Sequence, residues 1–202
     1  MELLAEMRSG QLTPDTILYS ACISACEKGQ RWELAFGLFG EALRSGPADT
    51  ILVDAVLSAC ASSGCWELAL SLLRDVPHLR LDPSVYTYTS AISACAEASD
   101  WKWALWTLHD MRRAEVRPNV EAYNAAARAC EAGHGSHVAL EVMEELCEAH
   151  VQPDLITYGA VVGACGASLT SMGRRAAPLL DGLSLCAHRF TRSRCFRNGD
   201  AP

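Results

Sequence analysis

One cysteine sets the frame of this chain. Cys26, Cys60, Cys95, Cys130 and Cys165 stand 34, 35, 35 and 35 residues apart, each inside a phrase of small residues such as CISACEKGQRWELA, VLSACASSGCWELA and AISACAEASDWKWALW. Alignment on that cysteine brings Tyr19, Val53, Tyr88, Tyr123 and Tyr158 into register seven residues earlier. Trp32, Trp66 and Trp101 fall six residues later, and Ala35, Ala69, Ala104 and Ala139 nine later. A fixed period of roughly 20–50 residues marks units that cannot bury their own apolar face and must stack on their neighbours.

Each unit reads as two helices. In SVYTYTSAISACAE, Tyr88, Ala91, Ile92 and Cys95 occupy one helical face. In SDWKWALWTLHDMRRAEVRPN, Ser99 and Asp100 are candidate N-caps, and Trp101, Ala104, Leu105, Leu108 and Met111 run down the next stripe until Pro118 ends it. Pro14, Pro83 and Pro153 interrupt the chain at the corresponding places, with Gly46 and Pro47 before the second unit. Helices of about 13 residues are marginal alone in water, so packing between units must stabilise them. Small residues at Ala21, Ser24, Ala25, Ser58, Ala59, Ala91, Ser93 and Ala94 allow close approach, and Trp32, Trp66, Trp101 and Trp103 read as packing residues.

The expected architecture is all-α: a solenoid of stacked antiparallel helix pairs. Its expected divisions are a second helix of a truncated repeat at 1–15, four full repeats at 16–49, 50–84, 85–119 and 120–154, the first helix of a partial fifth at 155–167, and a degenerate or disordered basic tail at 168–202. In the tail Pro178 breaks the pattern, and Arg189, Arg192, Arg194 and Arg197 cluster near the end.

Composition limits the alternatives. Half of the 202 residues are hydrophobic and 20% are charged, which supplies a core and excludes a disordered chain. Ten cysteines in so apolar a chain are not the disulfide framework of a small secreted domain; the periodic ones act as compact hydrophobes. No run approaches the roughly 18 apolar residues of a membrane helix, so no membrane partner is expected. Residues 1–14 lack a secretory signal, and no targeting peptide is visible; Leu3, Leu4 and Met7 instead follow helical spacing. Cys130 with His134 and His137, Cys186 with His188 and Cys195, and Cys22 with Cys26 do not reproduce paired zinc-ligand spacing. No nucleophile motif, phosphate-cradling loop or acid/base pair stands out. The expectation is a chain with no enzymatic activity, no metal, no cofactor and no small-molecule substrate.

The phrases PSVYTYTSAISACAEASDWKWALWTLHDMRRAEVRPN and VEAYNAAARACEAG followed by VALEVMEELCEAHVQPD resemble pentatricopeptide repeats, of the alanine- and tryptophan-rich variety found in algal and protist proteins. The resemblance spans residues 16–154 and the partial units on either side. It implies a right-handed superhelix that binds single-stranded RNA, one base per repeat. It also implies a role in organelle RNA processing, stability or translation, in a mitochondrion or plastid. Carried over residue by residue, the base-reading pairs are Ser20 with Asp49, Asp54 with Ser84, Thr89 with Asn119, and Asn124 with Asp154. The first pair suggests guanine, the third adenine and the fourth uracil; the second matches no common combination. The resemblance also places base-clamping side chains at Ile17, Ile51, Tyr86 and Ile156, whereas Glu121 departs from the pattern.

Short hydroxyl and amide side chains suit base edges on chemical grounds alone. The same residue types also cap helices, and Asp49, Asn119 and Asp154 precede expected helices, so both roles are open there. Charge opposes a nucleic-acid ligand: residues 1–167 carry 11 Lys/Arg against 22 Asp/Glu, a balance of −11. Phosphate contacts normally want a basic track. Three readable repeats at roughly 1–3 kcal/mol each against an association cost of roughly 4–15 kcal/mol make the expected RNA binding of this chain alone weak. A protein partner, a peptide or helix held in the same groove, is the alternative that the acidic balance favours.

Overall fold

The computed structural model describes residues 15–169. The expectations for 1–14 and for most of the basic tail lie outside them. The described chain is nine α-helices and one short 3-10 turn, without a strand: α1 Thr16–Lys28, α2 Trp32–Ser45, α3 Thr50–Ser63, α4 Trp66–Asp75, the turn Val76–Leu79, α5 Val85–Glu97, α6 Trp101–Arg113, α7 Val120–Ala132, α8 Ser136–Glu148 and α9 Leu155–Leu169.

Every first helix starts on a polar cap. The side chains of Asp15, Asp49, Ser84, Asn119 and Asp154 accept from the backbone N–H three residues on, at 2.9, 2.7, 3.1, 3.0 and 2.8 Å. This satisfies one of the donors a helix start leaves orphaned. The capping role open for Asp49, Asn119 and Asp154 is therefore occupied.

The repeated cysteine closes the other end. Its carbonyl accepts from the N–H five residues later in each hairpin: Arg31 to Cys26 at 2.9 Å, Cys65 to Cys60 at 3.0 Å, Asp100 to Cys95 at 3.0 Å and Gly135 to Cys130 at 2.8 Å. The residue between adopts the left-handed conformation, at Gln30, Gly64, Ser99 and His134. This is the Schellman ending of a helix. Only Gly64 takes that conformation without the roughly 1–2 kcal/mol penalty of a side chain. Glu115 and His150 repeat the device after α6 and α8. Helix α6 accordingly stops at Arg113, five residues before the Pro118 that the sequence offers as its terminator.

Each first helix packs lengthwise on the next, in the order α1, α3, α5, α7, α9. Each second helix packs on its own partner and on the following first helix, and no two second helices pack along each other. The tightly spaced first-helix layer is thus the inner wall of a curved stack, and the second helices form its outside. Tyr19, Val53, Tyr88 and Tyr123 are buried between the layers with Ala35, Ala69, Ala104 and Ala139. Cys60, Cys95, Cys130 and Cys165 are buried as well, and burial pushes the thiols of Cys60, Cys95 and Cys130 up to about 12, so they pack rather than react.

Two local expectations change. Ala21 and Ala25 are exposed, because their face of α1 has no described helix against it. Trp103 is 41% exposed and stacks on Trp66 at the outer surface instead of filling the core.

Candidate nucleic-acid interface

The cap of each first helix also sets the register of the residues that follow it on the inner wall. Two residues beyond the caps stand Ile17, Ile51, Tyr86 and Ile156, exposed by 78, 67, 52 and 58%. Large apolar side chains that open to solvent are unusual singly and more so at one repeating position. Glu121 occupies this place in the fourth unit and is also exposed.

Three residues further on come Ser20, Asp54, Thr89 and Asn124. Each stands one helix away from the cap of the next unit, which brings the expected pairs side by side to different degrees. Asn124 and Asp154 touch: the Asn124 amide nitrogen donates to Asp154 Oδ2 at 3.0 Å. Asp54 and Ser84 are joined through Thr87, whose hydroxyl lies 2.6 Å from Asp54 Oδ1 and 2.9 Å from Ser84 Oγ. No hydrogen bond joins Ser20 to Asp49 or Thr89 to Asn119. Their hydroxyls turn back onto their own helix, Ser20 to the Thr16 carbonyl at 2.9 Å and Thr89 to that of Val85 at 2.7 Å. That arrangement uses the proton and leaves lone pairs as acceptors.

Thr157 completes the fourth pair. Its hydroxyl donates to Asn124 Oδ1 at 2.5 Å, and its backbone N–H donates to Asp154. An ionised carboxylate can only accept, so the nitrogen of the Asn124 amide must point at Asp154 and its oxygen at Thr157. Asn124 is 8% exposed, with one N–H and one lone pair left to offer. Thr87 and Thr157 were not among the residues singled out from sequence. Their signal was a threonine three residues past the cap in two units, where the others carry Leu18, Leu52 and Ala122.

The two carboxylates of this row behave oppositely. The Thr157 backbone N–H, with the Asn124 amide, holds Asp154 below the ordinary 3.8 against the effect of burial. Burial lifts Asp54 above 3.8, and the Thr87 hydroxyl only partly offsets it. A carboxylate raised in the folded state stabilises below its unfolded pKa and loses that contribution as pH rises through the folded one. Asp54→Asn should therefore gain stability relative to the parent as pH rises from about 3 to 7, a gain readable in urea midpoints across that range.

Charged contacts cross between units at the far ends of the first helices, where Ser58 donates to Glu27 at 2.6 Å and Arg128 pairs with Glu97. Lys28 and Arg128 are the basic residues of the five first helices, against Glu27, Asp54, Glu97, Glu121 and Glu131. No group of three or more His, Cys, Asp or Glu suited to a metal ion occurs among the described residues. None of the described helices is long and apolar enough to cross a membrane.

The profile of the pentatricopeptide repeat matches residues 17–47 and 53–79, and that of the pentatricopeptide repeat domain matches 71–133 and 108–168. The chain belongs to the pentatricopeptide repeat family. Among solved structures it superposes on the maize pentatricopeptide repeat protein PPR10 with a TM-score of 0.71 at 23% identity, covering 93% of this chain and 26% of that one. PPR10 in complex with an 18-nucleotide psaJ RNA element gives 0.69 at 23% identity, over 98% of this chain and 31% of that one. The pentatricopeptide repeat domain of Arabidopsis thaliana protein-only RNase P 1, in complex with tRNA, gives 0.67 at 17%, over 92% of both chains. The chain thus spans about a quarter of PPR10 and nearly all of the second domain. No curated protein matches it in sequence. The fold is the right-handed α-solenoid of stacked antiparallel helix pairs shared by these pentatricopeptide repeat proteins.

Proposed function

We propose that the inner wall of this pentatricopeptide repeat array binds single-stranded RNA, one base per repeat, in the service of organelle RNA processing, stability or translation, with no catalytic step of its own. The observation that carries this reading is the repeated register of an exposed apolar side chain and, three residues on, a short polar one beside the next unit's cap. The RNA complexes of PPR10 and of the RNase P domain support the ligand class. The apolar row, Ile17, Ile51, Tyr86 and Ile156, would cover base faces, while Ser20 with Asp49, Asp54 with Ser84, Thr89 with Asn119, and Asn124 with Asp154 read base edges.

Hydrogen-bond polarity agrees with the expected bases. The remaining N–H and lone pair of Asn124 match the acceptor and N–H of a uracil edge. The committed hydroxyls of Ser20 and Thr89 offer acceptors, to the ring N–H or amino group of guanine and to the amino group of adenine respectively. With repeats at 16–49, 50–84, 85–119 and 120–154, the second member of each pair would be the last residue of its repeat.

The acidic groove supports a second reading, a scaffold for a basic peptide or helix on the same wall. Both are tested by fluorescence anisotropy of the full chain with labelled 8-nucleotide RNAs. Under the RNA reading, replacing the adenine opposite Thr89 and Asn119 weakens binding by roughly 5–150-fold, the equivalent of about 1–3 kcal/mol per base. Base-independent binding that vanishes with moderate salt, together with tighter binding of a polylysine peptide, would select the scaffold instead.

A further inference from the structure

The outer surface carries an aromatic cleft, which the RNA reading does not use. Pro77 breaks the second helix of the second unit, so α4 stops after 10 residues where α2, α6 and α8 run to 13 or 14. The chain continues as the Val76–Leu79 turn, and a cleft of about 650 Å³ lies between α4 and α6, with Pro77 in its lining. Its wall is aromatic. Trp66 and Trp103 stack with centroids 5.9 Å apart, and Trp106 meets Trp103 edge to face at 5.6 Å. Trp103 and Trp106 remain 41 and 52% exposed, on a face with no described element to cover them.

The charges around these rings are Glu67, Asp110 and Arg74, a balance of one negative charge. Neither carboxylate forms an ion pair among the described residues; Asp110 only accepts from the Tyr88 hydroxyl at 3.5 Å. The cation held over a ring among the described residues is Lys102 above Trp101, at 5.7 Å, outside the cleft. The cleft therefore offers exposed indole rings beside two carboxylates, with Arg74 its one cation among the described residues and ion-paired to neither of them.

From this juxtaposition we infer that the cleft binds an arginine side chain of a partner polypeptide. A guanidinium is planar, weakly hydrated and always charged, so it can lie flat on an indole while its fork faces a carboxylate. A lysine ammonium can do only the second. The volume exceeds one side chain severalfold and falls in the range of pockets that enclose drug-sized groups. Apolar neighbours of the arginine fill the remainder against Leu70, Pro77 and Pro83.

The test is a titration of the full chain with acetyl-Leu-Arg-Leu-amide and with the same peptide carrying uncharged, near-isosteric citrulline, followed through the five indole N–H resonances. The expected result is saturable movement of Trp103 and Trp106, little change at Trp32, and binding at least fivefold tighter for arginine. Asp110→Asn keeps the rings and should remove most of that difference; Trp103→Ala should weaken both peptides. Neither substitution should alter RNA affinity, since both lie on the opposite face. Equal response to the two peptides, an unchanged difference in Asp110→Asn, or no saturable movement of the cleft indoles overturns the inference.

Discussion

Tyr123→Ala should lose about 3–5 kcal/mol of folding stability, the usual range for removing a large ring from a core, whereas Tyr123→Phe should lose nothing or gain about 1 kcal/mol. Tyr123 is the largest fully buried side chain, held where α7 meets α5, α6, α8 and α9. Truncation leaves a cavity in a layer built largely of alanine, where Ala122, Ala125, Ala126, Ala127 and Ala129 have no side chain long enough to swing into it. The hydroxyl of the same residue is buried without a hydrogen-bond partner among the described residues, and burial, the main cause, raises its pKa above 10.0. Deleting it removes a desolvation cost and no bond. Urea unfolding followed by circular dichroism reads both variants, and a large loss for Phe would show that the hydroxyl has a partner after all.

The fold was legible because its determinants are local and repeat. A cysteine at a fixed interval, with Tyr, Trp and Ala at fixed offsets, reports a buried face once per unit, and five copies average away the ambiguity of a single helix. Helix ends were less legible. Gln30, Ser99, Glu115, His134 and His150 take the left-handed conformation without being glycine, so the composition of the turns does not announce it. What imposes it is the bond back to the carbonyl of Cys26, Cys95, Met111, Cys130 or Leu146, a property of the backbone that no side-chain pattern encodes. The aromatic cleft was hidden for a related reason: Trp103 is a large aromatic like those that fill a core, and only its place on the outward side of α6, stacked on Trp66 at the start of α4, leaves it exposed.

The candidate site shows the same division. Its register could be read from the period, but the hydrogen bonds that decide what each reader can offer depend on the residue type at a third position on the neighbouring helix. Thr87 and Thr157 supply a hydroxyl there; Leu52 and Ala122 do not. Ser20 and Thr89 therefore bond to their own helix, while Asp54 and Asn124 are held from across the unit boundary.

That contrast leads to the largest expected effect on RNA recognition. Asn124→Thr should change base preference at one position only, from the expected uracil toward the base favoured opposite Thr89, with discrimination moving by about 1–3 kcal/mol, up to roughly 150-fold. Thr157→Val, which keeps shape and removes the hydroxyl, should weaken that same preference severalfold without reversing it. Without the hydroxyl, Asp154 still fixes which end of the Asn124 amide is nitrogen, but the oxygen loses its donor and the amide can tilt away from the base. Thr157→Ser restores the donor and should restore the preference, which a merely structural role for the methyl group would not do. The measurement is anisotropy with RNAs varied singly at each base, at one salt concentration. Uniform weakening across all bases in Thr157→Val would place Thr157 in stability alone, and an unchanged preference in an Asn124→Thr complex would remove Asn124 from base reading.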